Sequence, residues 1–455
     1  MSEVIQEINP EIDEMFAKAK TASDAFSQMN AEQISKIWKA IGAAATEKAE
    51  FYAEWAVRDT GYGNVEAKII KKKLASQNQL DAWDPADFIT PVIDHEKKFI
   101  SYPKAAGVVV TLVPVTNPVF GVIGMIMQMV MTRNVLILCP HPNAKIVCQH
   151  AIDLFHEVGV ANGAPENFIQ TLQDISIPNV EKIMHHQGTD LILAVGGPAM
   201  VSAAYSSGNP SIGVGAGNCP CYVHETVDVE DLGPRLIYSS SWDNSLPCTT
   251  ESTALVDASI ADAMRASMAA GGGHFITGED EQKVREVCWP GNDSINPEVI
   301  GKSAQFIADK AGITIPEGTI SLVIEITSVG KHEWASKEKL WPVFAFKVVS
   351  GVDEAIRDAL AMLDAIGKGH SAAVHSTDQD IITKYGSAMP VGRVSVNGEN
   401  SFIATGFTSY LADCVMLGTG YWGGCISSEN VHPNEFIQWT RLAWSKDADF
   451  TPKTL

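Results

Sequence analysis

Three runs in the first half of this chain, Ala106 to Val113, Asn134 to Cys139 and Asp190 to Val195, are apolar almost throughout and rich in β-branched residues. A strand with one wet face alternates apolar and polar positions, so runs without alternation have to be buried on both faces. Segments of helical length and spacing lie between and after them: Val119 to Met131, Ala144 to Val158 and a helix from Asn179, with a short strand at Phe168 to Gln170. Buried strands that alternate with crossover helices predict a parallel sheet covered on both sides, an α/β fold.

The alternation resumes after about residue 222. A helix at Val229 to Ser239, a loop around Cys248, a strand at Thr253 to Val256 and a helix at Ile260 to Ala270 open a second α/β region that runs to about residue 425. Upstream, residues 11 to 57 carry helix-period patterning, followed by a Gly61-Tyr62-Gly63 break and a basic helix from Glu66 to Leu74. At 455 residues the chain is too long for one compact core, and no low-complexity linker separates its halves. Two interlocked Rossmann-like domains are expected, a cofactor-binding domain at 1–222 and a catalytic domain at 223–425. The remaining segment, 426–455, contains an aromatic-rich, amphipathic stretch, Ile426 to Leu442, that fits an intersubunit element.

Composition removes several classes of function. A formal charge of −21 repels the phosphates of nucleic acids and anionic membranes. No apolar stretch reaches the roughly 20 residues that cross a bilayer; the longest, Phe120 to Met131, is interrupted by Gly124 and Gln128. Met1 to Lys18 has no basic n-region and no signal-peptide core, which predicts a cytoplasmic protein, and this short acidic extension resembles no encapsulation helix. The eight cysteines are scattered and read as reduced thiols. Cys219-Pro220-Cys221 lacks a second ligand pair, and the adjacent His185 and His186 diverge on a helix, so no metal site is expected.

Two places carry chemistry. Gly196-Gly197-Pro198 follows a buried strand and opens a helix, where backbone can approach a phosphate and amides can bind it. Without the full dinucleotide fingerprint, a plain tight turn explains two glycines as well. Cys248, in Trp242-Asp-Asn-Ser-Leu-Pro-Cys248-Thr-Thr-Glu251, is the candidate nucleophile, although a lone cysteine is more often a buried apolar residue. Taken singly, Asn117 before Pro118 reads as a turn and Glu338 as part of an exposed Lys-Glu-Lys face.

The ordered set says more than its members. It comprises Gly107 to Val119, Thr132 to Lys145 with Pro140-His141-Pro142, Gly196 to Gly208, Gly213 to Asn218, Asp243-Asn244 with Cys248 and Glu251, Lys337 to Val343, Gly369 to Ser376, Arg393 to Asn397 and Leu417 to Gly424. From about residue 12 to 445 this resembles the CoA-acylating branch of the aldehyde dehydrogenase superfamily. The resemblance implies a cofactor domain, a catalytic domain and a small oligomerisation element, assembled as a homodimer or homotetramer. It makes Cys248 the nucleophile and places Asn117, with the Cys248 backbone N–H, in an oxyanion hole. Pro114, Thr116, Pro140, His141, Gly196, Gly197 and Gly215 would lie along a bound NAD or NADP, and Glu338 would hold the nicotinamide ribose. His370 and His375 bracket a strand-like run and read as structural, outside the catalytic set.

The fate of the thioester decides the function. Hydrolytic relatives place a water-activating glutamate in the segment that corresponds to Gly213–Asn218, whereas this chain has no carboxylate between Tyr205 and Cys221. Water needs a base to attack well; a thiol of pKa about 8.5 needs far less help. Coenzyme A is therefore the expected acceptor and a small aldehyde the partner substrate. Many relatives read Phe-Asp-Asn-Gly-x-Ile-Cys where Trp242, Ser245, Leu246 and Pro247 stand here. The added hydroxyls of Ser245, Thr249 and Thr250 predict a pocket for a short anionic aldehyde, sulfoacetaldehyde or succinate semialdehyde, with acetaldehyde or propionaldehyde as the alternative. Cys139 and Asn143 stand where relatives carry cations, which leans the cofactor toward NAD while Lys145 leaves NADP open. An acyl-phosphate reductase and a noncatalytic partner on the same scaffold are the competing readings.

Overall fold

The computed structural model describes residues 10–292 and 294–452. The first nine residues of the N-terminal stretch read above lie outside this set.

Five strands form the first sheet: β3 (Val108–Val113), β4 (Val135–Pro140), β5 (Ile169–Thr171), β6 (Leu191–Val195) and β7 (Ser211–Val214). They follow β1 (Val92–Asp94) and β2 (Phe99–Ala105), which belong elsewhere. The spatial order is β5-β4-β3-β6-β7, every pair parallel. All residues of β3 and β4 are buried, as strands covered on both faces require. The Pro118–Met131 helix is buried at all of its positions except Phe120, and joins the same core. The chain leaves β3 toward β4 and β5, then returns across it to β6. At such a reversal the crossover connections diverge and open a crevice beyond the carboxyl ends of the strands.

The second sheet has seven parallel strands: β8 (Cys219–Val223), β9 (Glu251–Asp257), β10 (Gly273–Ile276), β11 (Ser321–Glu325), β12 (Val343–Val349), β13 (Gly369–His375) and β14 (Val391–Val396). Their order is β10-β11-β12-β9-β8-β13-β14. Strand β8 straddles the expected boundary at 222, so the first sheet ends at Val214 and a four-residue loop leads into the second.

The tail returns to the body of the protein. Residues Ile437–Ala443 form β15, which pairs antiparallel along the whole of β2, while β1 takes the other edge of β2. Most of β15 is exposed, including Leu442. Among the described residues no helix is long and apolar enough to cross a membrane.

Candidate active site

The two sheets present opposite ends to one cleft of about 780 Å³. From the first sheet come the carboxyl ends: Pro114, Thr116 and Asn117 after β3, Pro140 and His141 at the end of β4, Gly196 and Gly197 after β6, Gly215 after β7. From the second come the amino ends: Cys248 before β9 and Glu338 before β12. All ten residues singled out from the sequence line this cleft.

The first-sheet half fits a dinucleotide. Gly197 precedes the Pro198–Ser206 helix without a side-chain cap, and the space over its Cα is open, so an anion can approach the helix terminus and its amides. Ile177, Val180, Met184 and Met200, from the two flanking helices, make an apolar slot suited to a flat ring system. No lysine or arginine lines the cleft among the described residues; its carboxylates are Glu181 and Glu338. Glu338 Oε1 accepts the Gly217 N–H at 3.0 Å, and burial raises the Glu338 carboxyl to about 7.

Cys248 is half-buried, whereas the other seven cysteines are buried; all eight are free. Its thiol is pushed up to about 12, by burial first and then by Glu338. The loop between the sheets passes directly behind it: a Cβ on Gly217 would lie 1.9 Å from the Cys248 carbonyl oxygen. No side chain fits at that position, so a carboxylate cannot occupy it.

One functional neighbour was missed. His370, the second residue of β13, places Nε2 3.2 Å from Cys248 Sγ, while Nδ1 lies 3.1 Å from Ser371 Oγ. The reading of His370 as a purely structural histidine is corrected. Strand periodicity could not show that the amino end of β13 adjoins the loop before β9, because the two are 122 residues apart. The available signal was the Gly369-His370 pair inside the matching motif. Burial, with Arg393 nearby, holds His370 down to about 3, so its ring is neutral across the physiological range. His375, at the far end of β13, is buried and does not reach the cleft lining.

The hydroxyls beside the nucleophile all have partners within the protein. Ser245 Oγ donates to Ser240 O at 2.6 Å, Thr250 Oγ1 to Pro247 O at 2.9 Å, and Thr249 Oγ1 bonds Ser401 Oγ at 3.1 Å. The hydroxyls of Ser245 and Thr250 are taken up inside the loop and that of Thr249 by Ser401; none of the three residues lines the large cleft, while Ser245 and Thr250 border a small cavity beside Cys248 and Glu338. Phe120, Leu246, Leu340, Val415 and Leu417 contribute apolar lining to the large cleft instead.

Asn117 also has an unexpected partner. Lys71 Nζ donates to Asn117 Oδ1 at 2.8 Å and pairs with the buried Asp243 carboxylate, which Lys68 approaches at 3.3 Å. The basic helix is therefore not a solvated face: Lys68, Lys71 and Lys72 are all buried.

A parallel cofactor sheet joined to a thiol-bearing sheet through one cleft defines a class. The family model for the aldehyde dehydrogenase family matches residues 2–286, and the chain belongs to this family. Within it the similarity runs to acylating members. An acetylating aldehyde dehydrogenase from Geobacillus thermoglucosidasius superposes with a TM-score of 0.92 at 33% identity, over 98% of each chain. The bifunctional aldehyde-alcohol dehydrogenase AdhE of Escherichia coli (strain K12) is 34% identical over 94% of this chain and 48% of its own length. A sulfoacetaldehyde dehydrogenase of an Acholeplasma species is 34% identical over 96% of this chain and 90% of its own. The chain thus spans about half the length of the first curated relatives it matches.

Proposed function

We propose that this protein is a CoA-acylating aldehyde dehydrogenase: aldehyde, CoA and NAD(P)+ give acyl-CoA, NAD(P)H and a proton. The observation that carries this reading is a cysteine thiol in contact with a neutral imidazole, inside a dinucleotide-shaped cleft, with no carboxylate in the loop behind it.

The Cys248 sulfur adds to the aldehyde carbon while the neutral His370 ring, with Nε2 3.2 Å from Sγ, orients the thiol, whose proton leaves to solvent as the bond forms. The oxyanion that forms is stabilised by the Asn117 amide and the Cys248 N–H. A nicotinamide seated against Glu338 would accept a hydride from the thiohemiacetal carbon, which leaves a thioester on Cys248. The sulfur of CoA then bonds to that acyl carbon, the C–S bond to Cys248 breaks, and the CoA thiol proton regenerates the Cys248 thiol as acyl-CoA leaves. Because Gly213–Asn218 carries no carboxylate, the loop offers no base for water, and thiolysis outruns hydrolysis.

We infer that the aldehyde is short and uncharged, of the acetaldehyde or propionaldehyde kind. Phe120, Leu246, Val415 and Leu417 are apolar, and no cation lines the cleft to meet a sulfonate or carboxylate. Similarity does not choose: relatives named for an aldehyde-alcohol dehydrogenase and for sulfoacetaldehyde match at the same 34%. The lack of a cation also favours NAD over NADP, whose 2′-phosphate would go unpaired.

The test is cofactor reduction with acetaldehyde, propionaldehyde, sulfoacetaldehyde and succinate semialdehyde, with and without CoA, and with phosphate in its place. CoA-dependent turnover fastest on propionaldehyde or acetaldehyde is expected. Full rate without CoA would sink the acylating reading, turnover with phosphate would support an acyl-phosphate enzyme, and preference for sulfoacetaldehyde or succinate semialdehyde would restore the anionic pocket.

A further inference from the structure

Three lysines of the Val65–Lys73 helix are buried under the catalytic loop, and one buried carboxylate, Asp243, serves two of them. Asp243 Oδ1 also accepts the Asn64 N–H at 2.9 Å. The approach is so close that a Cβ on Gly63 would lie 2.0 Å from Asp243 Oδ1. On the far side of Lys71, Nζ sits 5.1 Å from the centre of the Trp242 ring, close enough for a cation–π contact. Two ammonium groups against one carboxylate leave an excess of positive charge, and the neutral polar group that receives it is Asn117 Oδ1, at 2.8 Å.

We propose that Lys71 is a positioning residue for the oxyanion hole: its ammonium, anchored by Asp243, locks the Asn117 amide with Oδ1 turned toward the lysine and Nδ2 available to the developing oxyanion. This rests on the reading of Cys248 as nucleophile and Asn117 as oxyanion donor. The chemical reason is one-sided. An ammonium carries donors only, so the flipped amide would set its NH2 against NH3+ and turn an acceptor toward the oxyanion. Thr116 Oγ1, at 3.4 Å from Nδ2, is too distant to decide the orientation by itself. The adjacent positive charge also polarises the amide, which strengthens Nδ2 as a donor.

The experiment uses p-nitrophenyl acetate as an acyl donor that needs neither cofactor nor CoA. The Cys248 sulfur bonds to the acetyl carbon, the C–O bond to p-nitrophenolate breaks, and the thiol proton leaves to solvent; the burst of p-nitrophenolate is read by stopped flow. Loss of one oxyanion donor costs about 10²–10³ in rate, so N117A slows the burst to that extent. K71M is expected to slow it by at least roughly tenfold, and K71M/N117A to be no slower than N117A alone, because residues that act through one another are non-additive. The thermal shift produced by NAD stays as in the wild type. K68M/K71M/D243N, which removes the carboxylate together with both ammonium groups paired with it, keeps the slow burst and restores the melting temperature.

A wild-type burst unchanged in K71M, multiplicative effects of K71M and N117A, or a wild-type rate in K68M/K71M/D243N would each overturn the positioning role while leaving the nucleophile intact. A wild-type chain with no burst, or a C248A variant that keeps it, would overturn the nucleophile itself and the positioning role with it.

Discussion

Ser245 closes a run of three residues whose backbone favours glycine. Asp243, Asn244 and Ser245 are consecutive left-handed residues, with φ of 50°, 56° and 59°. Outside glycine, each such residue costs about 1–2 kcal/mol. Local bonds hold the turn: the lysines on Asp243, Asn244 Nδ2 on Gly301 O at 2.8 Å, and Ser245 Oγ on Ser240 O. Ser245→Ala would keep the strain and lose the hydrogen bond, whereas Ser245→Gly would relieve the strain. We expect the glycine variant to be more stable than the alanine variant by about 1–2 kcal/mol in urea unfolding, the reverse of the usual order. At Cys248 the raised thiol has a kinetic signature. Since thiolate is the reactive form, alkylation by iodoacetamide should climb roughly tenfold per pH unit from about pH 6 to 9 with no plateau, modifying one cysteine by mass spectrometry. A plateau below pH 8 would mean that the thiolate already exists at rest.

At the scale of the element, β9 begins with a carboxylate that its position makes costly. Glu251 is buried, and burial raises it to about 7 although Asn400 N–H and Ser239 Oγ–H both donate to it. A carboxyl raised in the folded state binds its proton there while the unfolded chain, near 4.5, has already lost it. Stability therefore falls as pH rises from about 4.5 to 7, and the penalty persists above. Glu251→Gln keeps the size and the acceptor without the charge. Its melting temperature relative to wild type should rise between pH 5 and 7.5, by the equivalent of roughly 1–3 kcal/mol, and then level off. A difference that does not vary with pH would show that Glu251 is not titrating. The run from 106 to 113 was legible as a strand because β3 is buried on both faces, a property local to its own residues. The tail 426–442 was not legible in the same way. Strand β15 is defined by backbone bonds to β2, more than 300 residues upstream, and its mostly exposed side chains give no signature of that pairing.

Across the whole molecule, the cleft joins the carboxyl ends of one parallel sheet to the amino ends of another. A dinucleotide lying there touches both, so its binding should stabilise the chain as a unit. NAD at a hundredfold excess over its Kd is expected to add about 2.7 kcal/mol, read as an upward thermal shift. NADP at the same concentration should shift the transition less, since no lysine or arginine lines the cleft for its 2′-phosphate. Equal shifts would contradict that electrostatic argument. By itself the sequence determined the two parallel α/β regions, the nucleophile candidate and the missing carboxylate, because burial on two faces, a motif and an absence are all written along the chain. Only the tertiary structure decided that His370 meets Cys248, that Lys71 meets Asn117, and that the hydroxyls of Ser245, Thr249 and Thr250 are taken up by partners within the protein. Those are directions of side chains across sheets and loops far apart in sequence, and direction is set by packing.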